Sequence, residues 1–377
     1  MKFTRLAIAP AIAALIAGLA VAPTYAAGNP KNDCTAVDGD YIVVLNKGVS
    51  VANDIKNVNG KEVSPKFMYD EVFNGYAAFL TADQVCHLQK RPTVALIESD
   101  GVVSIDSTTV SILEPGLWGL DRIDQQTGTL NNSYIYTSSG ALVDAYVVDS
   151  GLLSTHEQFA GRVKLGYSAV GKSTDTKDCN GHGTHVAGTI GGKNYGVAPG
   201  VNLVPVKVFG CSGSGSTSGV IAGLNWIVKN HTTNKAVANM SLGGGASSTL
   251  DAAVNKVIGD GVTVVVAAGN EGKSACLFSP ARVRNAITVA AVAKGDTLAT
   301  YSNNGSCVDI AAPGSGIFSS YIGSNSATES LSGTSMASPH VAGSVARQLQ
   351  AGSLDLNQLK GTTVISGFNL LYFDKDL

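Results

Sequence analysis

Charge is scarce in this chain of 377 residues: Asp, Glu, Lys and Arg together make up 14%, and the formal net charge is −2. No run of lysine or arginine occurs, so the electrostatic footprint that nucleic-acid binding requires is missing. Aromatic residues are few, at 6%. The six cysteines, at 34, 86, 179, 211, 276 and 307, contain no Cys-x-x-Cys pair, which argues against a zinc knuckle. After the first 25 or so residues no apolar run is long enough to cross a bilayer. What is plentiful is glycine, 44 residues, together with a hydrophobic fraction of 44%. That combination predicts a large core with many tight turns and close backbone approaches.

The N-terminus reads as a secretory signal. Lys2 and Arg5 precede an apolar, alanine-rich run from Leu6 to Val21, and Pro23-Thr24-Tyr25-Ala26-Ala27 supplies small residues for cleavage after Ala26 or Ala27. The run is short for a membrane anchor. Export, to the extracellular space or a periplasm, implies an oxidising compartment in which the cysteines pair; six allow 15 connectivities, which spacing alone leaves open.

Two regions follow. From Gly28 to about Thr109, strand-like runs at Tyr41–Leu45, Tyr76–Leu80, Val94–Ile97 and Val102–Ile105 and a helix over Ala82–Lys90 predict a small α+β unit. From about Ser111 the pattern alternates. Strands are predicted over Leu142–Val148, Val201–Val208, Ala236–Met240, Val262–Ala267 and Ala286–Val292. Helical spacing runs through Val220–Lys229 and through Leu250, Ala253, Val254, Val257 and Ile258, with Gly261 placed to end the latter. Strand–helix alternation predicts a mostly parallel α/β sheet with helices on both faces, whose sites form beyond the carboxyl ends of strands.

Chemistry collects at such ends. Gly333-Thr334-Ser335-Met336-Ala337-Ser338-Pro339-His340 sets a serine in a tight turn before a helical run, Val341–Leu349. An unassisted hydroxyl is a poor nucleophile and needs a base. His182, framed by Gly181 and Gly183, is the candidate; His185, at i+3, reads as a structural histidine, since no glutamate stands in the spacing of a zinc-protease helix. Asp149 ends the first strand and Asn270 ends Val264–Asn270, each by itself an ordinary turn residue.

Together, in the order Asp149, His182, Ser335, these residues resemble the subtilisin-type serine proteases, in particular the branch of proteinase K and aqualysin. The strongest segments are Trp118–Asp124, Cys179–Gly192, Ser212–Gly223, Ala238–Gly245, Ala267–Asn270 and Gly333–Gly343. The resemblance implies a secreted endopeptidase made as a precursor: signal peptide 1–26, an inhibitor-like, ferredoxin-like propeptide 28–109 and a catalytic domain 111–377, with the mature start between Ser107 and Leu113 and the tail at about Ser107–Thr109 lying in the cleft until self-cleavage. It implies nucleophile Ser335, base Asp149-oriented His182 and oxyanion donor Asn270. It implies substrate strands at Ser212-Gly213-Ser214 and Ser241-Leu242-Gly243, and a pocket wall of Ala267-Ala268-Gly269 that favours large apolar side chains before the cut. It also implies the disulfides Cys179–Cys211 and Cys276–Cys307, a Cys34–Cys86 pair, and structural calcium at Asp309 with the carbonyls of Arg284 and Ala286, with a second site at Asp121, Asp124 and Gln125, where Asn131 and Ser133 carry less charge than in some relatives. Its partners are polypeptide substrates and its own propeptide, on a monomer that binds no nucleic acid. Ser150, where threonine is commoner, Arg347, where relatives often have apolar residues, and a short final stretch from Ala351 depart from the pattern. A catalytically silent binding protein and an esterase are the rival readings.

Overall fold

A computed structural model describes residues 34–105, 108–109, 117–232, 235–352 and 354–374. The signal segment, its cleavage point and most of the 107–113 window lie outside these residues. Ala36–Leu377 forms one compact unit.

The small N-terminal part contains β1 (Gly39–Leu45), α1 (Val51–Asp54), β2 (Pro65–Tyr69), β3 (Gly75–Leu80), α2 (Ala82–Gln89) and β4 (Val94–Ser99). Its strands pair antiparallel in the order β2-β3-β1-β4. Alternation along β1 divides two cores: Tyr41 and Val43 point into a core of this unit's own, whereas Ile42, with Tyr69 and Ala77, packs into a core shared with the larger part. Helix α2 starts where predicted because Thr81 and Gln84 form a reciprocal capping box.

The rest of the chain runs β5 (Val102–Ser104), β6 (Thr108–Thr109), α3 (Trp118–Ile123), β7 (Asp144–Asp149), β8 (Tyr167–Ser168), α4 (His182–Gly191), β9 (Asn202–Lys207), β10 (Ser214–Ser216), α5 (Thr217–Asn230) and β11 (Ala236–Met240). It continues with β12 (Gly243–Gly245), α6 (Ser248–Gly259), β13 (Thr263–Ala267), β14 (Phe278–Ser279), β15 (Ile287–Ala293), β16 (Thr297–Leu298), β17 (Ile310–Pro313), β18 (Ile317–Ser320), β19 (Thr328–Ser332), α7 (Thr334–Ala351), β20 (Lys360–Ile365) and β21 (Phe368–Leu371). The main sheet has the order β20-β21-β17-β15-β13-β11-β7-β9-β8, parallel except for the β20–β21 pair and the β16 side strand on β15. Its central strands are buried on both faces, every residue of β7 and β11 included, which is why they read as continuous apolar runs. Ala145 and Val147 of β7 meet the core that holds residues of α4 and α7; Tyr146 and Val148 meet the core that holds residues of α5 and α6.

Most boundaries move by one to three residues from the sequence reading, and two of the differences have a clear physical reason. Leu142 stands outside the first strand, 83% exposed at φ +65°; pairing begins at Asp144, whose carboxylate takes Lys164 Nζ and Asn202 Nδ2. Helix α7 begins at Thr334, so Ser335 sits in the first helical turn rather than in a turn before it, and Pro339 lies inside the helix. A proline there lacks the N–H that would bond the carbonyl four residues back, which is that of Ser335. Ser241 Oγ donates to that carbonyl instead, at 2.8 Å.

Arg347 explains how the short C-terminal stretch docks. It is fully buried in α7; Nε donates to the Ser138 carbonyl and Nη1 to the Tyr134 hydroxyl, both at 2.8 Å, and the guanidinium lies 3.8 Å from the Phe373 ring centroid. Arg347→Ala is expected to lower unfolding free energy by about 3 kcal/mol, because it opens a cavity and strips the Ser138 carbonyl of its donor. Urea unfolding on a Ser335→Ala background measures this; a loss below about 1 kcal/mol would refute the role.

Candidate active site

β7 delivers Asp149 at its last residue, and α4 delivers His182 at its first, so both stand at the carboxyl edge of the sheet. His182 Nδ1 lies 2.8 and 2.9 Å from the two Asp149 carboxylate oxygens, with Asp149 at 0% and His182 at 2% exposure. Glycine makes this approach available. A Cβ on Gly183 would stand 2.2 Å from the Gly151 carbonyl and 3.2 Å from Asp149 Cβ, and Gly181, at φ +106°, passes against the Tyr321 ring. Nδ1 is therefore committed, while His182 Nε2 is buried with no hydrogen-bond partner.

A residue that sequence reasoning missed builds this helix start. Asp178 is buried, and its Oδ1 accepts from Ser150 Oγ and from the N–H groups of Asn180 and Gly181, while Oδ2 accepts from Thr184 N and Oγ1. Ser150 in turn accepts from Gly183 N, so the serine found where threonine is commoner is part of the same network. An aspartate a few residues before a helix is a visible capping signal, which alone would have marked it.

Ser335 Oγ donates to the Ser241 carbonyl at 3.2 Å. Its backbone is clamped by a relay that no motif announced: Ser338 Oγ donates to Asn239 Oδ1, Asn239 Nδ2 to Ser241 Oγ, and Ser241 Oγ to the Ser335 carbonyl. Asn270 Oδ1 accepts the Thr334 N–H at 2.8 Å, and Gly269 N donates to Thr334 Oγ1 at 3.0 Å, so the loop after β13 is tied to the residue before Ser335 and Nδ2 is the side chain's donor end. The other histidines nearby are structural, as expected for His185: its Nε2 meets the Ile317 and Glu329 carbonyls, and His340 Nδ1 meets the Met336 carbonyl. Burial drives them down, His185 to about 3 and His340 to about 4.

The predicted substrate strands frame a cleft that the chain itself fills. β5 pairs antiparallel with β10 on one side (Ser214↔Ser104, Gly215↔Val103, Ser216↔Val102) and with β12 on the other (Gly243↔Ser104, Gly244↔Val103). Ile105 N donates to the Gly213 carbonyl, and Gly213, at φ +74°, leaves room for the Ile105 side chain. Beyond the nucleophile, Thr108 and Thr109 pair with Ser332 and Leu331 of β19. Behind the cleft, Asp100 accepts from Ser218 N and Oγ at the start of α5, and Glu98 from Thr249 N at the start of α6. Ser212 and Ser214 touch through their hydroxyls on one rim, Leu242 is buried on the other, and Ala267 ends β13 with Ala268 and Gly269 just after it.

Cys179–Cys211 joins the loop before α4 to that before β10, and Cys276–Cys307 forms as well; Cys34 and Cys86 are also disulfide-bonded, and no cysteine among the described residues is free. The two expected calcium sets differ. Asp309 commits Oδ2 to Thr288 N and is half-buried, its carboxyl pushed up by burial, so the remaining oxygen suits a hard cation; the Arg284 side chain turns away to the Ser306 carbonyl. The oxygens of the second set already carry donors from the protein. Asp121 takes the N–H groups of Asn131 and Asn132, Asp124 takes Gln125 Nε2 and Ile135 N, and Asn131 Oδ1 takes Ser133. Among the described residues no three His, Cys, Asp or Glu side chains gather as a metal site.

A mostly parallel sheet places Asp149 and His182 in contact at its carboxyl edge, with Ser335 held against Ser241 just past β11. Comparison with known proteins narrows the class. The subtilase family model matches residues 139–366, and the peptidase inhibitor I9 model matches residues 40–106. An extracellular serine proteinase of Thermus sp. (strain Rt41A) is 52% identical over 75% of this chain and 68% of its own length. Subtilisin-like protease 2 of Pseudogymnoascus destructans is 44% identical over 94% of this chain and 91% of its own. The crystal structure of a cold adapted subtilisin-like serine proteinase superposes with a TM-score of 0.65 at 48% identity, covering 68% of this chain and 97% of that one. The chain belongs to the subtilase family and is a serine proteinase with an I9 propeptide domain.

His185 and His340 give the fold an acid limit. Each is held neutral when folded and takes up a proton more readily when unfolded. The stability they confer is therefore whole above pH 6.5 and lost as pH falls toward 4. Each histidine is expected to steepen the loss by about 1.4 kcal/mol per pH unit across that window. Thermal unfolding of Ser335→Ala between pH 7 and 4.5 measures it; His340→Asn should flatten the slope, and an unchanged slope would contradict the assignment.

Proposed function

We propose that Ser335, His182 and Asp149 hydrolyse peptide bonds through an acyl-enzyme. The observation that carries this reading is the divided imidazole: Nδ1 held by the Asp149 carboxylate, Nε2 buried and open as an acceptor. Ser335 Oγ bonds to the scissile carbonyl carbon while its proton passes to His182 Nε2. The oxyanion that forms takes hydrogen bonds from Asn270 Nδ2 and the Ser335 N–H. Collapse breaks the C–N bond, and Nε2 returns the proton to the leaving amine. Water then attacks the acyl carbon with Nε2 as base, and Ser335 is restored. Asp149 fixes the tautomer and stabilises the imidazolium.

The substrate is extended polypeptide of broad sequence, because β10 and β12 offer it main-chain pairing on both sides. The small side chains of Ala267 and Ala268 and the bare Gly269 leave room for a large apolar residue before the cut. The 28–109 region is the enzyme's own inhibitor and folding aid. In the antiparallel register Ser104 stands opposite Gly243, so a chain held this way meets Ser241, and with it Ser335 Oγ, two residues further on. Self-cleavage is therefore proposed after Asp106, which makes Ser107 the mature N-terminus, the near end of the 107–113 window; this intramolecular cut is set by the main-chain register and not by the apolar preference proposed for other substrates. Residues 1–26 direct secretion, and Asp309 with the carbonyls of Arg284 and Ala286 holds a structural calcium ion that takes no part in the reaction.

Ser335→Ala should leave the precursor uncut and casein intact, whereas wild-type should show a free N-terminus at Ser107 by intact mass; processing of the variant in isolation would sink the reading. Asn270→Ala should lower kcat by about 10²–10³ with KM little changed. Equal losses in both would count against the oxyanion role. Chelation should lower the thermal midpoint, and an Asp309→Asn variant should no longer respond to added calcium; a normal response would remove that site. Ester cleavage without casein cleavage would favour an esterase instead.

A further inference from the structure

Lys207 is a buried charge for which the reaction above has no use. It ends β9, is 5% exposed and stands in parallel register with Asp149 of β7. Its Nζ donates to the Ser150 carbonyl at 2.5 Å and the Lys177 carbonyl at 3.0 Å, and lies 3.9 Å from Cys179 Sγ. Ser150 N in turn donates to Asp149 Oδ1 at 2.7 Å. Burying an ammonium without a direct carboxylate contact is costly, and a neutral or apolar residue would fill this place more cheaply if packing were all that mattered. The charges facing it are Asp149 from β7 and Asp175 and Asp178 from the loop before α4; their fields offset the desolvation that pulls its pKa down. His185, also on α4, is held neutral by burial, so it adds no positive charge beside the Asp149–His182 pair.

We propose that Lys207 is a positioning residue for the hydrolytic reaction: its ammonium, anchored on the Ser150 and Lys177 carbonyls behind Asp149, disfavours imidazolium at His182 and so extends activity toward acid pH. The inference rests on the catalytic reading given above. The physics is direct. A fixed positive charge close to the pair opposes a second positive charge on the ring while leaving the Asp149–Nδ1 geometry intact. The two carbonyl contacts lock the charge in place and tether the Asp175–Cys179 loop to the end of the strand that carries the carboxylate.

Lys207→Gln separates charge from hydrogen bonding, since a neutral amide still has two N–H donors for the two carbonyls. The acidic limb of kcat/KM on a peptide substrate should move up by about half a pH unit or more, with the plateau at higher pH little altered. Lys207→Arg, which restores the charge, should move the limb back. Should Lys207→Gln fail to mature, the propeptide is supplied in trans and the His182 imidazole is followed by NMR in Lys207→Gln/Ser335→Ala, which needs no self-cleavage. An unmoved limb or imidazole titration in the glutamine variant overturns the proposal, as does a shift that arginine does not reverse or a fold that no charge-free variant attains. The two readings fail separately: loss of activity in Ser335→Ala with an unmoved limb in Lys207→Gln rejects this inference alone, and activity persisting in Ser335→Ala rejects the catalytic reading beneath it.

Discussion

The structure turns on one contact, the Asp149 carboxylate against His182 Nδ1. It joins the end of a central sheet strand to the first residue of a helix, both buried, so the imidazole has no rotational freedom to spend. Everything nearby serves that approach. Gly183 removes the side chain that would hold α4 off β7, Gly181 supplies the left-handed turn into the helix, and Asp178 gathers five donors to pin the loop that leads there. A buried carboxylate so fully satisfied is rigid, because each donor removed would leave an unpaired polar atom in a dry place.

The same economy appears at Ser335. Pro339 removes one helical hydrogen bond, and the carbonyl it frees is the one Ser241 takes. Ser241 thereby touches Ser335 twice, through its hydroxyl on the carbonyl and its own carbonyl under Oγ. Because Ser241 lies on the segment that leads into β12, the strand that would pair with substrate and the group that would attack it share one rigid linkage. The propeptide exploits that geometry by inserting β5 between β10 and β12, completing a sheet that an empty cleft would leave open.

Much of this was legible in the sequence, and the reasons are physical. Parallel strands buried on both faces leave long valine- and alanine-rich runs, and amphipathic helices such as α6 leave a 3.6-residue pattern, so the sheet could be laid out before any coordinates. The candidate site residues stood out because glycine-framed histidine and serine motifs are distinctive and their chain order is informative. What stayed hidden was context. Leu142 looks like a strand residue but sits on an exposed turn; Pro339 looks like a helix breaker, but the carbonyl it leaves free is taken by a side chain 94 residues before that carbonyl in sequence. Asn239, Ser338 and Lys207 act only through partners brought close by the fold; the first two lie within segments that carry the resemblance, but no local pattern gives the contacts they make. The acids of the Asp121–Ser133 loop suggest a cation site by type, while the backbone N–H groups that they accept could be read only from the fold.

The most direct test of the central contact is the rate at which a sulfonyl fluoride labels Ser335, located by peptide mapping, in wild-type and in Asp149→Asn supplied with the propeptide in trans. Asparagine keeps the size of the side chain but presents its own N–H, which reverses the tautomer that Nδ1 must adopt. Labelling confined to Ser335 and slowed by at least about 10²-fold in the variant is the expected result. Labelling of Asp149→Asn at the wild-type rate, or on another residue, would contradict the idea that this contact activates the serine.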